Sequence, residues 1–509
     1  MGSSSNIIKN TAYLYVKMFI SMFVALFTTR IFLNVLGASD YGLYSLIASV
    51  IAFFGFLQDS LVIATLRFLC FFKGQGEIEK QKAVFNVSTL LHVFIAFFVA
   101  LSLLFASNFL FDGFLNIESS RLGVAKHVYF LMIVTFVFSV VSIPYDSLLN
   151  ANENMRFYSI VGIVESLLRL VLSFLISCSP IDKLIFYAYG LALITILSLL
   201  VKRVYCHKSY AECSYSLKFI DKKIIKQMVS YGGWNFLTAF TFLLSSNASG
   251  LVLNRFFGTI VNAAQGVATH VNGTMMQFSS NLLKAVNPVL NKSVGEKNEG
   301  KMIQFAVSGT KLSFVIFLLM CVPFIVEAKY VLTLWLKNVP QWTVIFCCLQ
   351  LVRSLINQLL ALFVNCVYAS GKIKKYCIIK SCFNVLSIVA MYLCFSFGGA
   401  PYLSYIVLFV FIEVFGGGTI MFFMSENFGY SLVSYIKKIL VPCISVFVIS
   451  ICVGYLINSL MNESLLRLFF VVAVELIVII GLSWLVIFDE KEKSKVISFY
   501  EKINGWLKK

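Results

Sequence analysis

Nine arginines are spread over 509 residues, and six of them, Arg30, Arg67, Arg169, Arg255, Arg353 and Arg467, sit inside long apolar runs. The lysines lie mostly between the runs. A guanidinium at the centre of a membrane helix costs about 2.5–3.5 kcal/mol to insert, so six would cost on the order of 15–20 kcal/mol if additive. Arginine stays charged and presents a planar fork of donors suited to phosphate oxygens. Lys284 and Lys311 add point charges in runs of the same kind, while the acids there are fewer: Asp59, Glu165, Glu413 and Glu475. The charge carried by the apolar regions is therefore cationic on balance, which suits an anionic ligand.

Position sorts these residues. Glu165 and Arg169 stand four apart and can pair on one helix. Arg67 lies near the inner end of its run, within reach of lipid head groups. Arg467 lies at the outer end of the last run and reads as an interfacial anchor, and Lys17 and Lys380 read as snorkelling side chains. Arg30 and Arg255 precede the ends of two comparable runs and are assigned to a cavity together with Arg353, with Lys284, Lys311 and Arg67 assisting. One run is unusually polar. Within it, His270, Gln277, Asn281 and Lys284 fall roughly on one helical face, at spacings of seven, four and three. Such a face is costly against lipid. Its amides can donate and accept, to sugar hydroxyls or to neighbouring helices. His92 reads as a packed histidine. The thirteen cysteines show no ligand-like spacing, so no metal is expected. No cofactor is expected either. Coupling to proton or sodium flow would need an acid such as Asp59, Glu165 or Glu413.

The elements that must position these residues follow from composition. The chain is 60% hydrophobic, 16% aromatic and 13% charged, with mean hydropathy +0.90. No single soluble core can bury that much apolar surface. The runs are about twenty residues or longer and lack period-2 alternation, so they predict an all-α polytopic membrane protein rather than a barrel. About fourteen transmembrane helices are expected, with twelve as the alternative. The loops alternate in charge. About 26 Lys and Arg lie on one side and about four on the other, which places both termini in the cytoplasm. The net charge of +18 then reflects topology and contact with anionic lipid, and no nucleic-acid partner is expected.

The runs also repeat. Sliding the sequence along itself until Gly37 meets Gly258 also lays Gly74 on Gly295 and Lys80 on Lys301. A nearly equal shift lays "ANENMRFYSI" (151–160) on "ASGKIKKYCI" (369–378). Six helices separate the copies, so both point the same way and the repeat is parallel. The expected organisation is a lobe at 1–227 and a lobe at 228–430, two parallel six-helix lobes related by a pseudo-two-fold axis. Two further helices follow at 431–488 and a basic cytoplasmic tail at 489–509. Paired lobes around a cavity are a transporter architecture. The longest outward loops, near 111–123 and 329–340, carry no nucleophile–base or paired-carboxylate cluster, so no enzyme is expected.

Particular residues carry a family resemblance. "TTRIFLNVLGASDYGLYSLIASVIAFFGFLQDSLVIATLRFL" (28–69) resembles the opening of Wzx-type polysaccharide flippases. It has Arg before a Leu-Gly, a turn with Gly37, Tyr41, Gly42 and Tyr44, and Arg-Phe near the end of the second helix. "NANENMRFY", "VSYGGWNFLTAF" and "NPVLNKSVGEKN" are also similar to that family. The resemblance covers most of the chain. It implies a fold like that of lipid II flippases and multidrug exporters of the same superfamily. It also implies flipping of an undecaprenyl-pyrophosphate-linked oligosaccharide, such as an O-antigen unit, across the bacterial inner membrane. The pyrophosphate would meet the arginines, and the lipid tail would lie along the last two helices. A polysaccharide polymerase and a chain-length regulator are the implied partners of a monomeric flippase. A multidrug exporter is the rival reading, and a polymerase a more distant one.

Overall fold

In the computed structural model, residues 2–52, 54–111 and 117–494 are described, and every regular element among them is a helix. The first half runs α1 (Gly2–Ala52), α2 (Gly55–Gly74), α3 (Ile78–Phe109), α4 (Leu122–Ala151), α5 (Met155–Leu175) and α6 (Lys183–Ser209). Next come α7 (Lys222–Gly295), α8 (Glu299–Val326), α9 (Ala328–Leu336), α10 (Thr343–Ser370) and α11 (Lys374–Ser396). α12 (Leu403–Leu408) passes through a π-helical stretch, Phe409–Phe415, into α13 (Gly416–Phe428). α14 (Leu432–Tyr435) does the same through Ile436–Leu440 into α15 (Val441–Leu460). α16 (Leu465–Leu482) ends in a third such stretch, Ser483–Ile487.

Twelve helical stretches among the described residues are long and apolar enough to cross a membrane, where the sequence predicts about fourteen. The difference lies in two places. One of the twelve is Lys222–Gly295, 74 residues long. At 1.5 Å per residue that is about 110 Å of helix, several times the thickness of a hydrocarbon core. Its backbone is interrupted at Gly258 (φ 80°, ψ −173°). α1 is interrupted in the same way at Gly37 (φ 80°, ψ 170°), and the helix that follows, through α2, is not among the twelve. These dihedrals belong almost exclusively to glycine. Nothing lies within 4 Å of a Cβ built at either position, so conformation rather than crowding requires glycine there.

The two glycines are counterparts in the repeat, and the correspondence continues beyond them. After α2, the Glu77 N–H reaches the Phe72 carbonyl and the Gly76 N–H reaches that of Lys73. At the equivalent place in the second copy, the Asn298 N–H reaches Ser293 and the Lys297 N–H reaches Val294. Both ends are Schellman caps, with Gly76 (φ 75°) and Lys297 (φ 55°) in the left-handed position. After α4, Glu153 (φ 54°) has its counterpart in Gly371 (φ 78°), which ends α10. The repeat is thus written into the hydrogen bonds that stop the helices.

The described residues divide into two compact units, 6–236 and 237–494 (the latter with residues 2–5), with the division inside α7. In the first, α4 packs against α2, α3 and α6, and its Val128, Val140, Leu148 and Leu149 are buried. His92 is packed as expected, with Nδ1 bonded 2.7 Å from the Ser88 carbonyl. In the second unit α8 packs against α10, α15 and α16, and 72% of its most apolar window is buried. Both central helices contain a proline, Pro144 in α4 and Pro323 in α8. Their burial allows this, because neighbouring helices can satisfy the freed carbonyls.

Candidate functional site

The first unit contains a cavity of about 480 Å³. On α1 it is lined by Lys17, Ser21, Val24, Ala25, Thr28 and Phe32, at spacings that keep them on one helical face. Gly162, Glu165, Ser166 and Arg169 of α5 face them, and Tyr41, Tyr44 and Tyr187 close one end. The volume is that of a small-ligand site.

Its charges are ordered. Arg169 Nη2 donates to Glu165 Oε1 at 2.6 Å, and the Ser198 hydroxyl donates to Glu165 Oε2 at 3.4 Å. Lys17 Nζ sits 4.2 Å from the centre of the Tyr158 ring. Its stem crosses Gly162, where a Cβ would overlap Lys17 Cε, so a larger residue there would displace the lysine. Ser21 and Ser166 share a hydroxyl bond of 2.8 Å, and the buried Thr28 hydroxyl has no hydrogen-bond partner. Phe32 packs against Tyr187 at 4.3 Å and Tyr44 at 5.1 Å between ring centres. Two cations, one carboxylate, hydroxyls and aromatic faces are the equipment for binding an anionic group that carries polar, ring-shaped substituents.

A clamp ties the start of α4 to α1 and to the start of α6. Arg121, just before α4, grips Asp40 with two guanidinium nitrogens and reaches Asp182 Oδ2 with a third, at 2.6 Å. Asp182 is also the N-cap of α6, accepting from Leu184 and Ile185. Burial pulls the Asp182 carboxyl up, but Arg121 and these backbone donors outweigh it and hold the group below its ordinary value. Arg121 was legible only as one of the few basic residues on the outer side. Its partners come from helices 81 and 61 residues away in sequence.

The candidates chosen from sequence are distributed as follows. Glu165 lines the cavity and is paired with Arg169 there. Lys17, expected to snorkel, lines it as well. Arg30 is exposed and is not among the lining residues. Arg67 is buried, its guanidinium 4.6 Å from both the Phe68 and Phe71 rings and 5.8 Å from that of Tyr231. The side chain of Asp59 lies outside the described residues.

In the second unit Arg255 is exposed, and so are His270, Gln277 and Lys284, while Asn281 is half-buried. The His270 ring stacks on Trp335 of α9, with centres 6.0 Å apart. Two other polar residues of the same run bond to helical neighbours: Asn365 donates to Asn287 at 2.6 Å, and Gln265 to Ser249 at 2.7 Å. Arg353 and Glu413, expected in separate roles, bind each other at 3.0 Å, and Glu413 lies in the π-helical stretch. Lys311 is fully buried, held by Glu492 at 3.0 Å and Asp489 at 3.2 Å. Arg467 is not an interfacial anchor. It is 5% exposed, and its Nη2 donates to the buried Glu327 at 2.8 Å. The reason is that α16 packs on α8, whose end carries Glu327, so the first turn of α16 faces protein. All thirteen cysteines are free, and among the described residues no group of His, Cys, Asp or Glu could hold a metal ion.

The architecture is that of a known class of membrane transporter. A crystal structure of a MATE point mutant superposes with a TM-score of 0.73 at 15% identity, covering 84% of this chain and 97% of the other. An outward-facing multidrug resistance MATE family transporter of the MOP superfamily gives 0.72 at 16%, covering 84% and 98%. A MOP superfamily transporter from Pyrococcus furiosus, described as having a binding pocket of reverse polarity that suggests a different function, gives 0.69 at 14%, covering 86% and 99%. These likenesses establish the MATE-like fold. Residues 7–293, more than half of the chain, match the polysaccharide biosynthesis protein family, and the chain belongs to it. No curated protein matches.

Proposed function

We propose that the protein is a flippase that exports an anionic lipid-linked oligosaccharide, undecaprenyl-pyrophosphate-linked as in O-antigen assembly, across the bacterial inner membrane by alternating access. The observation that carries this reading is the cavity of the first unit, where Lys17 and Arg169 outnumber Glu165 among hydroxyls and aromatic rings. A site for organic cations would need the opposite balance, which disfavours the multidrug alternative. Family membership supports a role in polysaccharide assembly. Lys17 and Arg169 take the pyrophosphate, and Tyr44 and Tyr187 stack on sugar. Arg30, and in the second unit Arg255, Arg353 and Lys284, are further contacts for the head group, with His270, Gln277 and Asn281 for sugar. The chain crosses the membrane fourteen times with both termini cytoplasmic, and acts as a monomer beside the polymerase and chain-length regulator. Membrane potential, about 2.3 kcal/mol per charge per 100 mV, drives an anion outward.

The test is surface polysaccharide measured at matched protein levels in a deletion strain. Lys17→Gln and Arg169→Gln should each lower export, and the double variant should abolish it. Loss of one charged contact is worth about 1.5–3 kcal/mol, or about ten- to a hundredfold in affinity. Full export by the double variant would remove the cavity from the mechanism. Drug resistance without any polysaccharide defect would favour the multidrug reading.

A further inference from the structure

The seam where α16 and the segment after it pack on α8 holds three charged positions in sequence order. At the outer end Arg467 binds Glu327, which Asn458 also holds at 3.3 Å. At the inner end Lys311 binds Glu492 and Asp489, and the Ser308 hydroxyl donates to Glu492 at 2.5 Å. Between them stands Glu475. It is 0% exposed, and neither of its carboxylate oxygens has a hydrogen-bond partner. It is the eleventh residue of α16, about 15 Å along the helix and so near the middle of a ~30 Å hydrocarbon core.

Glu475 is fitted to a notch. A Cβ built on Gly454 of α15 would overlap Glu475 Oε1 and stand 2.6 Å from a methyl of Val326 on α8. The carboxyl therefore occupies the space that the missing side chain leaves, where the three helices meet. Among the described residues no cation is on hand to neutralise it. On α8, Lys311 and Glu327 are engaged at the two ends, Lys301 is held by Glu296, Glu299 is exposed and Cys321 is a buried thiol. On α15, Cys443 is a buried thiol, while Cys452 and Tyr455 are exposed. On the two turns leading into α15, Lys437 and Lys438 are exposed. On α16 itself, Arg467 is taken by Glu327. Ser450, one turn before Gly454, carries a buried hydroxyl with no partner, so the seam offers the acid a hydroxyl and no positive charge. An ionised carboxylate cannot be held in such a place, because neither water nor a counter-charge replaces its hydration.

We infer that Glu475 is a proton-binding site: it carries a proton in this structure, and docking of α16 onto α8 at mid-membrane takes up one proton. Losing that proton requires the α15–α16 pair to part from α8 at Gly454, while the ion pairs at the two ends hold the helices in register. The site stands whether or not the protein exports a polysaccharide.

Infrared spectroscopy of the full-length protein in maltoside, a detergent without ester carbonyls, tests this. The wild-type spectrum minus that of Glu475→Gln at pH 7 should show the C=O stretch of one protonated carboxyl and no carboxylate band. A carboxylate band in its place would overturn the assignment. Gly454→Ala gives a second reading by filling the notch. It should shift that C=O band or convert it to carboxylate, and an unchanged spectrum would overturn the notch as the binding place. Thermal unfolding of the wild type should weaken as pH rises from the ordinary glutamate value of about 4.3 through neutrality, more steeply than that of Glu475→Gln over the same range. Equal slopes for the two would count against the site.

Discussion

At the residue scale, two kinds of glycine can be separated. Gly37 and Gly258 are needed for a backbone conformation, since open space surrounds both. Substitution by alanine should cost about 1–3 kcal/mol at each, read as a lower unfolding midpoint in detergent, without any change of neighbouring side chains. Gly309 is the contrasting case: its backbone is ordinary helix, but a Cβ would overlap Leu362 Cδ1. If Gly37→Ala and Gly258→Ala unfold like the wild type, the two breaks are not strained in the way the dihedrals imply. The Arg467–Glu327 pair makes a second prediction. Removing Arg467 alone (Arg467→Met) leaves Glu327 buried without its counter-charge, at a cost of about 3–5 kcal/mol, while the double variant Arg467→Met with Glu327→Gln should recover much of the loss. Equal destabilisation by the single and double variants would mean that the pair is not coupled. Charge identity was legible in the sequence, but pairing was not. Glu165 and Arg169 could be matched because four residues of helix bring them together, whereas Arg353–Glu413 and Lys311–Glu492 depend on which helices are neighbours. Lys17 looked like a snorkelling lysine because distance along a helix says nothing about what lies across from it.

At the element scale, helix ends carried the most information. The repeat, visible in the sequence as scattered identities, returns as matching left-handed residues and matching caps, because a Schellman cap needs one position with positive φ and tolerates varied side chains. Gly76 and Lys297 fill the same role with different residues. This explains why identity between the copies is sparse while the geometry is shared. The clamp of Arg121 had no such signature. Arg121, Asp40 and Asp182 belong to three different helical segments, and Asp40 has no acidic counterpart in the second copy, where Val261 stands. The clamp carries a pH dependence with a definite sign. Because the folded protein holds the Asp182 carboxyl below its ordinary value, its contribution is complete above the unfolded value of about 3.9 and is lost as pH falls through the folded one. Asp182→Asn should therefore flatten the acid limb of a plot of unfolding midpoint against pH and leave the neutral region parallel to wild type. An unchanged acid limb would show that Asp182 is not held by Arg121 in solution.

At the scale of the whole molecule, the number of crossings decides which ends of the helices share a compartment. Lys222–Gly295 either crosses once, as a single element, or twice, as the Gly258 break and the length of 74 residues favour. The charge pattern supports two crossings: Lys222, Lys223 and Lys226 lie at one end and Lys292 and Lys297 at the other, with only Arg255 near the middle. Positive residues collect on the cytoplasmic side, so both ends should be inside and the region of Gly258 outside. The prediction is read with a membrane-impermeant thiol reagent on intact cells. The background should lack the exposed Cys178, Cys382 and Cys452. Thr259→Cys, exposed just after the break, should be labelled from outside. Lys223→Cys and Glu299→Cys, exposed at the two ends, should be labelled only after the cells are opened. Outside labelling of just one of the two end positions would make the segment a single crossing. That result would also reverse the orientation of everything after it and undo the parallel relation between the two copies. The same experiment bears on Arg30 and Arg255. If the break at Gly258 is outside, so is the one at Gly37, and both arginines then approach the outer face, where an exported head group would leave.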